Sequence, residues 1–170
     1  MEYTTLGSTG VKVSRLCFGT MSFGGDADEA TSGAMFKQCR DAGINFFDTA
    51  NVYSRGKSEE ILGRLMKGQR DDLVLTTKVA GRMGDGPNDA GLSRRAIKFQ
   101  LEASLKRLGT DRVEFYFCHV FDADTPACVL EIHQRHLRLK FLHQFQRNVA
   151  CGCNRGFHAV LLQDIVEHLA

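Results

Sequence analysis

No apolar run among the 170 residues approaches the roughly 18 consecutive positions that a membrane-spanning helix requires. The opening Met-Glu-Tyr-Thr-Thr lacks the basic and apolar regions of a secretory signal. Excess charge of one sign is also scarce. The 22 Lys and Arg against 20 Asp and Glu leave a net charge of +2. Such a balance gives no electrostatic footprint for nucleic acid and no polybasic membrane patch. A cytoplasmic protein is the expectation that follows. A Gly-x-Gly-x-x-Gly fingerprint is missing too. Gly19-Thr-Met-Ser-Phe-Gly-Gly25 has the wrong spacing and enters a loop, which argues against a Rossmann domain. Residues 1–125 contain no P-loop and no zinc-ligand pattern.

What is present describes an ordinary globular chain, with 43% hydrophobic and 25% charged residues. Its length suits one domain that buries roughly 70% of the surface of its unfolded chain. Six cysteines, at 17, 39, 118, 128, 151 and 153, are scattered through apolar or irregular contexts. They are expected as thiols rather than as a disulfide framework.

Residues 3–14 read as a hairpin turning at Gly7-Ser-Thr-Gly10. A short apolar strand follows at 16–19. The spacing then predicts a helix over about 28–42, with Asp28 and Glu29 in its first turn. Its apolar stripe would be Ala34, Met35, Cys39 and Ala42, with Gly43 as cap. Residues 44–47 form a second strand. Ser58 is expected as the N-cap of a second helix, which turns Ile61, Leu62, Leu65 and Met66 inward. A third strand covers 73–79, and the glycine-rich stretch 81–91 is a loop. Ser93 should cap a third helix running to Leu108, with Ile97, Leu101, Leu105 and Leu108 on one face. A fourth strand, 113–119, ends in His119.

Strand and helix thus alternate, and the strands are apolar nearly throughout. Both features favour a parallel α/β sheet. The polar exceptions are Asp48, Lys78 and His119, each at the C-terminal end of a different strand. In barrel enzymes that edge carries the chemistry. Tyr53 follows Asp48 on the next loop. Taken singly, these residues have ordinary explanations: a turn-forming aspartate, a packed tyrosine, a solvated lysine, a rim histidine. Together they form a set suited to protonating a carbonyl oxygen. A phenol is a weak acid, with an ordinary pKa of about 10. A neighbouring ammonium favours the phenolate, and a carboxylate holds that ammonium in place. A histidine can orient the carbonyl. Such a reaction needs a hydride, and hence a nicotinamide.

The segments Tyr3-Thr-Thr-Leu-Gly-Ser-Thr-Gly-Val-Lys-Val-Ser, Gly19-Thr-Met, Phe47-Asp-Thr-Ala-Asn-Val-Tyr53, Ser58-Glu-Glu-Ile-Leu-Gly, Thr77-Lys78 and Cys118-His119 resemble the aldo-keto reductases. Within that family the chain is most similar to bacterial members related to the potassium-channel beta subunits. The resemblance implies a partial (β/α)₈ barrel of about four β/α units, preceded by a hairpin. It implies NADPH-dependent reduction of small-molecule aldehydes or ketones. Tyr53 would be the general acid, Lys78 its tuning residue, Asp48 the anchor of the lysine, and His119 the residue that orients the carbonyl. Gly19, Thr20, Met21 and Asp48 would lie near the nicotinamide. Phe23 would line the substrate pocket.

The resemblance covers about residues 1–126, and residues 127–170 read as a divergent tail, helical or disordered. Five of the six histidines fall in that tail. So sharp a change of pattern resembles a shift of reading frame. Cys151, Cys153, His143 and His158 lack the strict spacings of zinc sites, and no metal is expected. A full barrel needs about 250 residues. The chain therefore reads as truncated, with open sheet edges that either the tail helices would cover or a second copy would close. The alternative to an enzyme is a catalytically silent remnant that binds a partner.

Overall fold

The computed structural model describes residues 1–125, together with a short backbone pairing of His133–Gln134 with Leu137–Arg138. That pairing is extended where a helical tail was one expectation, and the rest of the tail, with the loose Cys/His set at 143–158, lies outside the described residues. The chain opens with strand β1 (Tyr3–Thr5), antiparallel to β2 (Lys12–Ser14). The order then runs β3 (Cys17–Gly19), α1 (Glu29–Asp41), β4 (Phe46–Asp48), α2 (Lys57–Leu65), β5 (Val74–Val79), α3 (Arg94–Leu108) and β6 (Phe115–Cys118). Strands β3, β4, β5 and β6 make one parallel sheet in sequential order. The predicted alternation and parallel pairing are both observed.

Side chains alternate across this sheet, as the period of a strand requires. Phe47, Leu75, Val79 and Tyr116 face the helices and pack with Phe36, Leu62, Ile97, Leu101 and Leu108 in the larger core. Val74 and Phe115 face the other way and meet Val13 of β2 and the partly buried Leu6, Val11, Phe46 and Phe117. The hairpin therefore covers part of the inner face. Burying Leu62 or Leu75 completely contributes roughly 1.5–3 kcal/mol each.

Helix ends follow their capping chemistry. Asp28 accepts from the Thr31 amide at the start of α1, and Ser93 accepts from the Ala96 amide at the start of α3. After α1, Gly43 adopts φ +82°, while its amide donates to Arg40 O and the Ile44 amide to Cys39 O. This left-handed stop is the one the sequence placed there.

Two expectations fail. On α1 the buried residues are Ser32 and Phe36, with Cys39 partly buried, while Ala34 and Met35 are exposed. The stripe was picked by apolarity, but the helix is rotated so that Phe36 packs against Phe47, with ring centroids 4.9 Å apart and planes tilted by 37°. Nor is Ser58 an N-cap. Helix α2 starts at Lys57 behind Gly56, which takes φ +92°, and no side chain caps it. A Cβ at Gly56 would come within 2.7 Å of Arg107 Cδ, so only glycine suits this turn.

Candidate active site

The C-terminal edge of the parallel sheet gathers all four predicted catalytic residues. Asp48 closes β4, Lys78 is the penultimate residue of β5, and His119 follows β6 directly. Parallel register sets Gly19 opposite Asp48, and Asp48 opposite Thr76. Asp48, Thr76 and Lys78 then project from the same face by strand alternation. Tyr53 begins a 3-10 turn, Tyr53–Gly56, in which Ser54 and Arg55 take φ values of +47° and +53°. Left-handed non-glycine residues cost roughly 1–2 kcal/mol each. At the start of this turn the Tyr53 hydroxyl lies 3.1 Å from Lys78 Nζ at the sheet edge.

Lys78 organises the group. Its ammonium donates to Asp48 Oδ2 at 2.5 Å, to Thr49 O at 2.8 Å and to the Tyr53 hydroxyl oxygen at 3.1 Å. An ammonium has three donors, and all three are used. The Tyr53 oxygen accepts, so its own proton points elsewhere. Among the described residues nothing accepts that proton. Asp48 is held from both sides, because Thr76 donates to its Oδ1 at 2.5 Å. The Lys78 and Asp48 side chains are only 15% and 26% exposed, so the pair is partly shielded from water. His119 stands edge-on to the Tyr53 ring, and its backbone amide donates to Val79 O. Burial, followed by the positive charge of Lys78, lowers the His119 pKa below its ordinary value, while Asp48 partly opposes the shift. Burial and the Lys78 charge thus both favour the neutral imidazole.

The loop after β3 supplies the rest. Gly19 faces open space, since a Cβ there would meet no atom within 4 Å. Met21 is exposed. Thr20 is fully buried, and its amide and hydroxyl both donate to Asp48 O. Phe23 does not line an open pocket. It is 0% exposed and lies in the helix-side core against Phe18, because the turn at Gly24 folds it inward.

Residue reading missed Thr76, Thr49 and Ser58. Thr76 had a usable signal, being a polar residue two positions before Lys78 on an apolar strand and hence on the same face. The other two are defined by contacts between distant segments. Among the described residues, no group of three or more His, Cys, Asp or Glu could hold a metal ion. No helix among them is long and apolar enough to cross a membrane. Cys17, Cys39 and Cys118 are free, and burial pushes the Cys118 thiol up to about 11.

The chain is 50% identical over 137 residues to the uncharacterized oxidoreductase YrpG of Bacillus subtilis, covering 74% of this chain and 42% of that protein. It is 46% identical over 130 residues to a probable voltage-gated potassium channel subunit beta of Oryza sativa, covering 74% of this chain and 39% of the relative. A solved structure, the aldo-keto reductase AKR11C1 from Bacillus halodurans in its holo form, superposes with a TM-score of 0.70 at 34% identity. That overlay covers 77% of this chain and 44% of the other. The chain therefore spans about two fifths of the length of these relatives, and its sheet is part of their barrel. The aldo/keto reductase family model matches residues 15–156, continuing past residue 126, where the quoted motifs stop. The chain belongs to the aldo/keto reductase family.

Proposed function

We propose that this chain carries the carbonyl-reducing centre of an NADPH-dependent oxidoreductase acting on small-molecule aldehydes or ketones. The observation that carries the reading is the bonding of Lys78. Its three donors are spent on Asp48, Thr49 O and the Tyr53 oxygen, which leaves the phenolic proton free for a substrate.

The residues present fit the nicotinamide end of such a cofactor. Gly19 leaves room for a flat ring beside the acid, and Thr20, Met21 and Asp48 border the same edge. In barrels of this type, phosphates are commonly held after strands seven and eight, whereas four strands of the barrel sheet are described here. When bound, the cofactor supplies hydride to the carbonyl carbon.

The chain's own residues do the remainder. Tyr53 gives its proton to the carbonyl oxygen as negative charge develops there. Lys78 then sits against the phenolate that remains and stabilises it. Asp48, fixed by Thr76, keeps the ammonium from swinging away. His119, neutral, offers an N–H to the carbonyl oxygen and orients it. The product is the alcohol, and Tyr53 regains its proton from solvent.

NADPH binding is read by fluorescence, followed by turnover of a generic aldehyde. Binding with a rate sensitive to Tyr53→Phe supports the reading. A chain that binds no NADPH overturns it and favours a partner-binding remnant. A cytoplasmic setting suits the free thiols. The outer edges of β3 and β6, unpaired among the described residues, would admit a second copy; sedimentation reads that association.

A further inference from the structure

The geometry points to the first turn of α2 as a clamp that sets the candidate site, with Ser58 as a positioning residue for both the Gly19–Thr20–Met21 loop and Lys78. The inference rests on the reading of the site given above and adds residues to it that touch neither substrate nor cofactor.

Ser58 is fully buried. Its hydroxyl donates to Thr20 O at 2.7 Å. The same oxygen lies 2.8 Å from Thr20 Oγ1 and 3.0 Å from Thr49 Oγ1. Each hydroxyl has one proton to give. With the Ser58 proton spent on Thr20 O, Thr49 is the donor to Ser58. One side chain on α2 thus ties the exit of β3 to the exit of β4. Both ties lead directly into the site. Thr20 reaches the Asp48 carbonyl through its amide and its hydroxyl. Thr49 offers its carbonyl to the Lys78 ammonium.

The next residue extends the grip to β5. Glu59, also fully buried, accepts from the Thr77 hydroxyl at 2.5 Å, immediately before Lys78. Its other oxygen accepts from Arg107 Nε at 2.6 Å, and this keeps the carboxylate neutralised. The first turn of α2 therefore holds the ends of the three strands that carry Gly19, Asp48 and Lys78. Buried hydroxyls with no apolar alternative are costly unless satisfied, so the network fixes one arrangement. A serine that merely filled space would not need to give one hydrogen bond and take another from two separate loops.

The test separates this inference from the functional reading. NADPH binding to the unaltered chain is measured first, by fluorescence. The titration midpoint of His119 is measured in parallel by proton NMR, assigned with His119→Gln, and requires no cofactor. It reports the Lys78 charge that faces the imidazole. In Ser58→Ala, NADPH affinity falls about three- to tenfold, the range of one lost buried hydrogen bond. The His119 midpoint rises as Lys78 shifts away. Thr49→Val keeps shape, removes only the bond to Ser58, and also raises the midpoint; it decides the matter if Ser58→Ala does not fold. A loss of thermal stability in both variants, with the His119 midpoint unmoved, overturns the inference and leaves Ser58 structural. If the unaltered chain binds no NADPH, the functional reading fails, and the His119 arm still decides the positioning role.

Discussion

The His119 imidazole meets the Tyr53 ring edge-on, with centroids 5.7 Å apart and planes at 82°. Lys78 bonds the Tyr53 hydroxyl and lies 4.7 Å from the centre of its ring, and its charge acts on His119. For His119, burial and then Lys78 lower the pKa, and Asp48 raises it. The sign of the stability effect follows. In the unfolded chain the imidazole takes up a proton near pH 6.5, whereas in the folded chain it does so at lower pH. The contribution of His119 to stability is therefore fully present above pH 6.5 and is lost as the pH falls toward the lowered folded value. In an NMR titration, Lys78→Met should raise the midpoint and Asp48→Asn should lower it further. The reverse order would sink this account of the site's electrostatics.

Tyr53→Phe removes a phenolic proton for which no described residue is the acceptor, and it costs the fold little, because the hydroxyl bonds only to Lys78 among the described residues. Aldehyde reduction should fall about 10²–10⁴-fold, the usual contribution of a positioned acid. Circular dichroism should be unchanged. A phenylalanine variant with wild-type turnover would rule Tyr53 out as the acid.

Much of this was legible in the residues, for identifiable reasons. Asp48, Lys78 and His119 interrupt apolar strands at their ends, and an interruption of that kind is visible without coordinates. Ser93 and Gly43 obey local capping chemistry, which depends on a few neighbouring positions. Ser58 was misread because a serine ahead of an apolar periodic run is the usual start signal of a helix. Its partners, Thr20 and Thr49, lie 38 and 9 positions away, and no local rule names them. Phe23 was misplaced for the same reason. Its neighbourhood is fixed by how the 20–27 loop returns over Phe18, a tertiary fact. The stripe on α1 failed because two small apolar residues and Met35 lost the core face to Phe36, whose ring has Phe47 to pack against.

Asp122 straps the loop after His119 to the loop before α3. Its carboxylate accepts from the Leu92 amide at 2.6 Å, the Thr125 hydroxyl at 2.8 Å and the Asp124 amide at 3.1 Å. The Leu92 amide, and then the Thr125 hydroxyl, hold its pKa below the usual carboxylate value. Its stabilising effect is therefore present above the ordinary value of 3.8 and lost as the pH falls through the lowered folded value. Asp122→Ala should speed hydrogen exchange at Leu92 by about tenfold, the loss of one charge-assisted bond. Unchanged exchange at Leu92 would show that the strap is not formed in solution.

Glu59 and Arg107 join α2 to α3 across 48 positions of sequence. The carboxylate is wholly buried, while the Arg107 side chain is 19% exposed and also donates to the Ser104 hydroxyl. Arg107→Ala would leave a negative charge in the core with only Thr77 beside it, at a cost of about 3–5 kcal/mol. Neutralising both ends, as in Glu59→Gln with Arg107→Met, should recover most of that, because no uncompensated charge stays buried. Urea denaturation of the single and double variants reads the difference. If the double variant is as unstable as Arg107→Ala, the cost arises from lost packing around the Arg107 stem, which lies against Gly56, and not from the stranded charge.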